Sequence, residues 1–280
     1  MSSAGTARAN SAAADVLTIR DAAIQRGDRE LWAGLDLDVS PGEFIAVLGP
    51  SGSGKTTLLR AILGLQELSA GSIRVDGAAV HRGNRRIGYI PQQRPFPPDT
   101  SMRARDVVAL GVQGSRFGLP LPHRGDRERV DELLAAVGAT EFADRRVGQL
   151  SGGEQQRLRV AQALTTDPEL LLCDEPLASL DPANQERVVE LIDKRRRDAG
   201  TAVVFVTHEI NPVLPYVDRV LYLVGGRFRI GTTEEVMNTA TLSELYGSDV
   251  EVLRVNGRLL VVGGEEDAHH CTAPEGLPAT

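Results

Sequence analysis

A glycine-rich run of eight residues has the residue types and the spacing that bind a phosphate chain. Gly49 to Thr56 reads G-P-S-G-S-G-K-T and matches the pattern G-x-x-x-x-G-K-[ST] in full. Glycines let the backbone approach an anion closely, so that successive N–H groups and a helix N-terminus can converge on phosphate oxygens. We expect Lys55 to reach the β- and γ-phosphates and the Thr56 hydroxyl to ligate Mg²⁺.

The alternative interpretation of this run is a flexible Gly/Ser loop. A buried apolar run precedes it and a helical pattern follows it, and this context favours phosphate binding. The predicted nucleotide-binding residues of the loop are Gly49, Pro50, Ser51, Gly52, Ser53, Gly54, Lys55, Thr56 and Thr57.

Two acids end another buried apolar run. Asp174 and Glu175 follow Leu170–Cys173, where isolated charges are costly unless they face a partner. We predict that Asp174 holds Mg²⁺, directly or through water, and that Glu175 orients or deprotonates an attacking water. Considered alone, the two acids are more typical of a strand end that turns into solvent. The phosphate-binding pattern elsewhere in the chain favours the catalytic interpretation.

A histidine and a glutamine follow two further apolar runs. His208 comes after Ala202–Thr207 and could hydrogen-bond a γ-phosphate oxygen or the attacking water. Gln92 comes after Ile87–Ile90, and its amide could contact Mg²⁺ or the same water. A lone histidine at a strand end is more often structural, and a lone loop glutamine indicates nothing. The predicted catalytic residues are Lys55, Gln92, Glu175 and His208, and the predicted Mg²⁺ ligands are Thr56, Gln92 and Asp174.

Short apolar runs alternate with helical patterns, which predicts an α/β fold with an open and mainly parallel sheet. The predicted buried strands are Phe44–Leu48, Leu170–Cys173 and Ala202–Val206, and Ile87–Ile90 is a further predicted strand. A helical pattern from Thr56 to Leu65 follows the first of them. Such sheets bind ligands at the carboxyl ends of their strands, where the residues described above fall.

The chain divides into one large domain and accessory segments. We predict a single domain over 15–248, with a helical insert at about 94–166 that begins with a proline-rich connector. Asn256-Gly257, flanked by two short strand-like runs, predicts a type I′ hairpin within 249–264. The ends, 1–14 and 265–280, lack periodicity and are typical of disordered tails.

Composition limits the possible partners. The 280 residues carry a net charge of −7, which argues against nucleic acid as a partner because general binders need clustered Lys and Arg. Two cysteines, Cys173 and Cys271, make neither a disulfide framework nor a zinc pattern and fit a reducing cytoplasm. No apolar run approaches the roughly 18 residues that span a bilayer, so another polypeptide would have to supply any pore.

The run from Leu150 to Arg157, L-S-G-G-E-Q-Q-R, begins a helical stretch. Ser151 and Glu154 have capping-box spacing, so the plain interpretation is a well-capped helix, and the sharper one is a second anion site. The run resembles the signature of ABC ATPases. Over about 15–235, the ordered set of motifs is similar to that family, namely the loop at 49–56, Gln92, the signature, Asp174-Glu175, Ser179-Leu180-Asp181 and His208.

This resemblance implies an α/β P-loop NTPase of ABC type, with a mainly parallel sheet core, an antiparallel β subdomain and a helical insert subdomain. It also implies ATP and Mg²⁺ as cofactors and the hydrolysis of ATP. Two such domains pair head to tail, so the resemblance implies a second ATPase subunit, either another copy of this chain, which is the preferred interpretation, or a sister chain. Each ATP would then lie between the loop of one domain and Ser151, Gly152 and Gly153 of the other. Asp181 would signal across that interface, and Gln92 would couple to a transmembrane permease subunit docked on the connector and insert.

One position departs from the family pattern. ABC ATPases usually stack adenine on an aromatic residue before the first core strand, whereas this chain reads Ile24-Gln25-Arg26-Gly27-Asp28 there. We predict that Arg26 covers the ring with its planar guanidinium.

The chain carries one motif set and no membrane span, which favours a stand-alone importer ATPase over fused exporters, translation factors and coiled-coil repair ATPases. It would be cytoplasmic, peripheral on the inner face of the membrane through its permease, and would indirectly serve a substrate-binding protein. The stretches 207–223 and 242–247 resemble ATPases of zinc and manganese importers. The alternatives are an importer of another small solute and a soluble regulatory ATPase of ABC type. His269-His270-Cys271 could bind such a metal, although an unstructured tail is the plainer interpretation.

Overall fold

The computed structural model describes residues 14–27, 29–92, 95–114 and 124–263. Of the tails predicted at 1–14 and 265–280, only Ala14 falls within these ranges. Both tail predictions, and the metal-binding run His269-His270-Cys271, therefore lie outside the described residues.

The strands and helices of the described ranges alternate along most of the chain. The strands are β1 (Leu17–Arg26), β2 (Arg29–Val39), β3 (Phe44–Leu48), β4 (Ala70–Val75), β5 (Ala78–Ala79), β6 (Ile87–Ile90), β7 (Leu170–Asp174), β8 (Ala202–Val206), β9 (Arg219–Val224), β10 (Arg227–Gly231), β11 (Glu251–Val255) and β12 (Arg258–Val262). The helices are α1 (Lys55–Ile62), α2 (Ala104–Gln113), α3 (Arg124–Ala136), α4 (Gly152–Ala163), α5 (Pro182–Ala199), α6 (Thr233–Val236) and α7 (Thr239–Tyr246).

A six-stranded sheet forms the centre, in the order β10-β9-β3-β8-β7-β6. The five strands from β9 to β6 run parallel, and β10 is antiparallel to β9. Every residue of β3, β7 and β8 is buried, which explains their unbroken apolar sequences. The predicted α/β class with a mainly parallel core is confirmed, and the carboxyl ends of these three neighbouring strands meet at one edge of the sheet.

The central sheet separates two hydrophobic cores. Successive side chains of β3 alternate between them, because side chains of a strand point to opposite faces in turn. Phe44, Ala46 and Leu48 pack among residues of α2 to α5. Ile45 and Val47 pack among residues of α1 and of a second sheet.

The second sheet is antiparallel, with the order β2-β1-β4-β5. Its inner face is apolar and fully buried at Leu17, Ile24 and Trp32, among others. This sheet is the antiparallel β subdomain that the family resemblance implies, and it covers the helix that follows the glycine-rich loop.

Helix α1 ends three residues before the predicted boundary at Leu65. The chain leaves the helix at Leu63, the C-cap, and Gly64 has a φ of +67°. A Cβ at Gly64 would lie 2.8 Å from the backbone carbon of His81, so only glycine fits this turn. The apolar pattern continued past the helix because Leu63 and Leu65 belong to the turn that follows it.

Three α-helices of the described residues, α2, α3 and α4, lie in the segment predicted as the insert, and α2 packs against both α3 and α4. The connector is fixed to α4 by Gln155, whose Oε1 accepts from Phe96 N–H at 3.0 Å.

The C-terminal hairpin β11–β12 has the predicted turn. Asn256 and Gly257 have φ of +50° and +77°, as a type I′ turn requires at both central residues. Leu259 is buried in the first core, and Val252 and Val261 pack against it. In the ranges that the structure describes, no helix has both the length and the apolar character needed to cross a bilayer.

Candidate functional site

The loop at 49–56 links β3 to α1 in a conformation that side chains would obstruct. Gly49, Gly52 and Gly54 have φ of +134°, +79° and +100°, a region that favours glycine. A Cβ at Gly49 would lie 1.9 Å from the Leu223 carbonyl oxygen, inside any contact distance. The sequence pattern therefore places its glycines where the backbone needs them.

Two polar side chains of this loop are buried. Lys55 is only 7% exposed, and its Nζ donates to the carbonyl oxygens of Gly49 at 2.5 Å and Pro50 at 2.8 Å. Ser53 is 8% exposed, and its Oγ has no hydrogen-bond partner among the described residues. A buried hydroxyl without a partner is costly in a protein, and an oxygen of a bound anion would satisfy it.

A hydrogen bond joins the loop to the acid at the end of β7. Thr56 Oγ1 donates to Asp174 Oδ1 at 3.0 Å. Asp174 is 4% exposed. Burial raises the pKa of Asp174 above its ordinary value, and the hydrogen bonds from Thr56 and Tyr89 oppose that rise only in part. Two oxygen donors predicted to hold Mg²⁺ are thus adjacent.

Tyr89 is a neighbour of this acid that sequence reasoning missed. Its hydroxyl donates to Asp174 Oδ2 at 3.2 Å. Burial, and then the charge of Asp174, raises the pKa of Tyr89 to about 12, so the phenol keeps its proton and remains a donor. The sequence did show a hydroxyl-bearing aromatic residue, Tyr89, three residues before Gln92. Its hydrogen-bond partner could not be predicted, because that partner depends on the register in which β6 pairs with β7.

Glu175, Gln92 and His208 form a second group beside the first. Gln92 Nε2 donates to Glu175 Oε2 at 3.0 Å. His208 Nδ1 lies 3.9 Å from the same oxygen, beyond hydrogen-bond distance. The structure therefore links Gln92 to the predicted catalytic carboxylate, while Thr56 hydrogen-bonds Asp174.

The backbone of Glu175 is strained. Its φ is +46°, a left-handed conformation that is uncommon for residues other than glycine. Its N–H donates to the Val206 carbonyl oxygen at 3.0 Å, which ties the end of β7 to the end of β8. Strain of this kind persists where the surrounding structure enforces it, and it is frequent at functional sites.

A cavity of about 290 Å³ opens beside this carboxylate. Its walls include Glu175, Ser179, Gln185, Thr207 and His208. The side chain of Glu175 is 23% exposed and that of His208 is 66% exposed, so both can meet a ligand or a water.

The two predicted interface motifs lie at helix N-termini. Ser151 caps α4, with its Oγ accepting from Glu154 N–H and its own N–H bonded to Glu154 at 2.7 Å, so the predicted capping box is present. Asp181 caps α5 and accepts from Asn184, which lowers the pKa of Asp181. A Cβ at Gly153 would lie 2.4 Å from Asn184, so glycine brings the two helices together.

The side chains of Ser151 and Asp181 accept hydrogen bonds at their own helix ends, whereas Thr56 of the loop at 49–56 bonds to Asp174. Ser151 and Gly152 are exposed, and Gly153 is buried. Thr57, the last predicted loop residue, lies within α1.

The side chain of Arg26 falls outside the described residues, so its predicted contact with adenine stays a prediction. Trp32 is an aromatic residue that the structure places beside the loop. It is fully buried, and its Nε1 lies 2.8 Å from the position that a Cβ of Gly54 would take. Its ring is therefore a support beneath the loop and has no exposed face for a ligand.

The donor set at the end of β7 fits Mg²⁺. Within the described ranges, no cluster of three or more His, Cys, Asp or Glu side chains could hold a metal unaided. The Thr56 hydroxyl and the Asp174 carboxylate are hard oxygen donors 3.0 Å apart, which suits an ion that takes few protein ligands and completes its shell with phosphates and water. A cation would also compensate the buried charge of Asp174.

Comparison with known families gives one extended match. The family model described as ABC transporter matches residues 32–178. That segment includes the loop at 49–56, Gln92, the signature and the Asp174-Glu175 pair.

Relatives with similar identities serve different importers. The chain is 34% identical to the zinc transport system ATP-binding protein TroB of Treponema pallidum (strain Nichols), over 87% of this chain and 89% of that protein. It is 37% identical to the zinc import ATP-binding protein ZnuC of Cereibacter sphaeroides, over 80% of this chain and 86% of that protein. It is 36% identical to the phosphonates import ATP-binding protein PhnC 2 of Pseudomonas savastanoi pv. phaseolicola, over 78% and 84%.

Among solved structures, a chain of an ABC transporter assigned to the metal-chelate type, in an inward-facing conformation, superposes with a TM-score of 0.74. It is 26% identical, and the match covers 88% of this chain and 96% of that chain.

Proposed function

Because this chain belongs to the ABC transporter family, as an ATP-hydrolysing ATP-binding subunit of an import system, we propose that it drives uptake of a divalent transition metal, zinc or manganese, through a transmembrane permease. It would act at the inner face of the membrane, bound there through the permease. A substrate-binding protein would deliver the cargo to the permease from the outer side of the membrane.

The proposed positions of the nucleotide and Mg²⁺ depend chiefly on one observation, the hydrogen bond between Thr56 and Asp174. It brings the phosphate-binding loop at the end of β3 into contact with the acid at the end of β7. With Lys55 buried against the loop, this arrangement supports a nucleotide whose phosphates lie on the loop amides and whose Mg²⁺ is held by Thr56 and Asp174. Arg26 would cover the adenine.

Hydrolysis is then an in-line attack of water on the γ-phosphate. Glu175 would orient or deprotonate that water, and the amide of Gln92, 3.0 Å away, would fix the direction of its carboxylate. Lys55 would stabilise the charge that develops on the phosphate oxygens. Mg²⁺ would supply further compensation of that charge. His208 would hydrogen-bond the γ-phosphate or the water, on the exposed side of Glu175.

Two copies of the chain would form the working unit. Ser151 and Gly152 are exposed at the N-terminus of α4, where backbone N–H groups and the helix dipole favour an anion. In a two-fold dimer each signature would contact the ATP held by the opposite loop, so one interface would be used twice. Asp181 at the start of α5 would report ATP occupancy across that interface.

Zinc or manganese is favoured over other cargo by the stretches 207–223 and 242–247 and by relatives named for zinc transport. The phosphonate relative, at a similar identity, supports a second candidate, import of another small solute. A soluble regulatory ATPase is the third candidate, and it differs from the first two in needing no permease.

Isolation of the membrane partner, followed by uptake assays, tests these candidates. We expect the tagged chain to co-purify with a multi-helix membrane protein, and the pair in vesicles to accumulate zinc or manganese when ATP is supplied. The control is the same membrane partner with the Glu175→Gln chain, which should accumulate neither zinc nor manganese. ATP-driven uptake of a phosphonate instead of metal would support the second candidate. ATP hydrolysis without any membrane partner would support the third.

A further inference from the structure

Asn211 ties the loop that carries His208 to the C-terminal hairpin. Its Nδ2 donates to the Leu259 carbonyl oxygen at 2.9 Å, and its Oδ1 accepts from the Leu259 N–H at 2.8 Å. A side-chain amide offers a donor and an acceptor, as a peptide group does. Asn211 therefore binds the edge of β12 as a residue of a neighbouring strand would.

The register of the hairpin makes this contact necessary. Val255 and Arg258 flank the two-residue turn and form the hydrogen-bonded pair, so the next pair, Arg254 and Leu259, is a non-hydrogen-bonded one. The N–H and C=O of Leu259 consequently point away from β11. Leu259 is only 4% exposed, and buried backbone groups need partners. Asn211 supplies both.

His208 lies between two fixed points of the chain. On one side, Thr207 N–H donates to the Val47 carbonyl oxygen at 3.2 Å, at the end of β3. On the other side, Ile210 is 5% exposed and Asn211 is held by the hairpin. The His208 side chain itself is 66% exposed. Its distance from Glu175 is therefore set by the backbone on either side, since little packs on the ring.

The hairpin is a firm anchor for this loop. Ser243 Oγ donates to the Val250 carbonyl oxygen at 2.9 Å and accepts from the Val250 N–H at 3.1 Å. Thr239 Oγ1 accepts from Val252 N–H at 2.9 Å. These bonds fix the start of β11 to α7, whereas Asn211 contacts the other end of the hairpin, beside the turn, where the burial of Leu259 holds β12 independently of them.

We propose that Asn211 is a positioning residue for ATP hydrolysis, which acts by fixing the far end of the His208 loop to the hairpin. The turn end of the hairpin, at Leu259, then belongs to the hydrolytic apparatus, because it determines where His208 stands relative to Glu175. This inference rests on the proposed role of His208. It predicts an effect on turnover and none on nucleotide binding, since Asn211 does not touch the loop at 49–56 in the hydrogen bonds described.

Comparison of Asn211→Ala with Ser243→Ala tests the proposal in the full chain. Both substitutions remove two hydrogen bonds between a side chain and the backbone of the hairpin segment, but only the first lies on the His208 loop. We expect Asn211→Ala to lower kcat about tenfold, as small misplacements of catalytic groups do. Its Kd for ATP with Mg²⁺ should stay within about twofold of wild type, and Ser243→Ala should keep the wild-type kcat. Melting temperatures should fall similarly in both.

Asn211→Asp is a second variant of unchanged size. It keeps the acceptor for Leu259 N–H but faces the Leu259 carbonyl oxygen with a carboxylate oxygen, so we expect a loss of turnover here too. Wild-type kcat in the folded Asn211 variants, or an equal loss in Ser243→Ala, would overturn the proposal and indicate that the hairpin only adds stability. Failure of the wild-type chain to hydrolyse ATP would overturn the proposed function, and this inference with it.

Discussion

The carboxylate of Glu175 is held by contacts that leave one oxygen committed to Gln92 and the group itself partly exposed. Such a group can accept a proton or a hydrogen bond from water without rearrangement of the loop. Asp174, one residue earlier, is almost entirely buried and already accepts two hydrogen bonds. Two adjacent acids therefore occupy different environments and suit different tasks, one for an ion and one for water.

Replacement of Glu175 by Gln should separate binding from turnover. Glutamine has the same size and can still hydrogen-bond, but it cannot take a proton, so we expect ATP hydrolysis to fall about 10²- to 10⁴-fold. ATP affinity should be unchanged, because the phosphate loop is untouched. Steady-state hydrolysis and equilibrium ATP titration measure the two quantities. Hydrolysis at the wild-type rate would show that Glu175 has no catalytic role.

The chemistry-bearing residues of the site were predictable because each stands in a local pattern. The glycines at 49, 52 and 54, the Ser151 cap and the Asn256-Gly257 turn all follow from rules that act within a few residues. Tyr89 and Trp32 were not predicted. Their roles depend on which strands are neighbours and in which register, and such long-range pairing leaves no mark on a single sequence.

At the scale of the element, the loop at 49–56 is shaped by two different constraints on its glycines. Gly49 and Gly52 both have positive φ. A Cβ at Gly52 would meet nothing within 4 Å, whereas one at Gly49 would lie 1.9 Å from Leu223 O. One glycine is required for its backbone angle, and the other for its angle and for close approach to β9.

The pair Gly49→Ala and Gly52→Ala should differ in stability for this reason. Gly52→Ala should cost only the left-handed backbone penalty, about 1–2 kcal/mol. Gly49→Ala should cost clearly more, because backbone atoms of β3 and β9 would have to separate. Chemical denaturation gives both values. Equal losses would mean that the strands adjust freely at this point and that the steric argument is wrong.

The buried strand β7 also makes a prediction about its cysteine. Cys173 is fully buried, and burial, and then the charge of Asp174, raises the pKa of its thiol. Because the thiolate is the reactive form, the native chain should resist thiol reagents at Cys173 in mildly alkaline solution. Replacement of Cys271 by serine leaves Cys173 as the one thiol that can react, so the assay reports on Cys173 alone. We expect colour from a chromogenic disulfide only after denaturant is added, and rapid reaction of the native protein would contradict the burial.

The helices and strands were predicted best where burial is complete. Phe44–Leu48 and Ala202–Val206 are β3 and β8 to the residue, because a strand buried on both faces reads as an unbroken apolar run. The predicted end of α1, Leu65, lies three residues beyond the observed end, because apolar residues continue into the turn at Gly64. Strand order was not predictable in detail, because the chain order β3, β6, β7, β8 is rearranged in the sheet.

At the scale of the whole molecule, the two halves of the proposed ATP site stand on different elements, the loop between β3 and α1 and the N-terminus of α4. The phosphate loop is bonded to the end of β7, and the Ser151 cap is bonded within α4, a helix that packs against α2 and α5. One copy therefore presents a loop at one place and an exposed helix N-terminus at another. A head-to-tail pair of chains would bring each into contact with its complement.

Ser151→Arg tests this assembly without touching the loop that binds ATP. The arginine would place a long side chain in the exposed entrance to α4 and would remove the side-chain acceptor for Glu154 N–H. A lost N-cap costs about 1 kcal/mol, so the chain should still fold. In the Glu175→Gln background, which should trap ATP, the parent should sediment as a dimer with ATP and Mg²⁺. The Ser151→Arg chain should remain a monomer at the same protein concentration.

Equilibrium ATP titration of the monomer provides the control for this measurement, because its affinity should match that of the parent below the concentration of dimerisation. Ser243→Ala serves as a second control, since it also removes hydrogen bonds between a serine side chain and the backbone, but in another part of the chain. A dimer that forms equally well with arginine at 151 would place the signature outside the interface. The two-fold sandwich would then be wrong, even if the loop, Asp174 and Glu175 act as proposed.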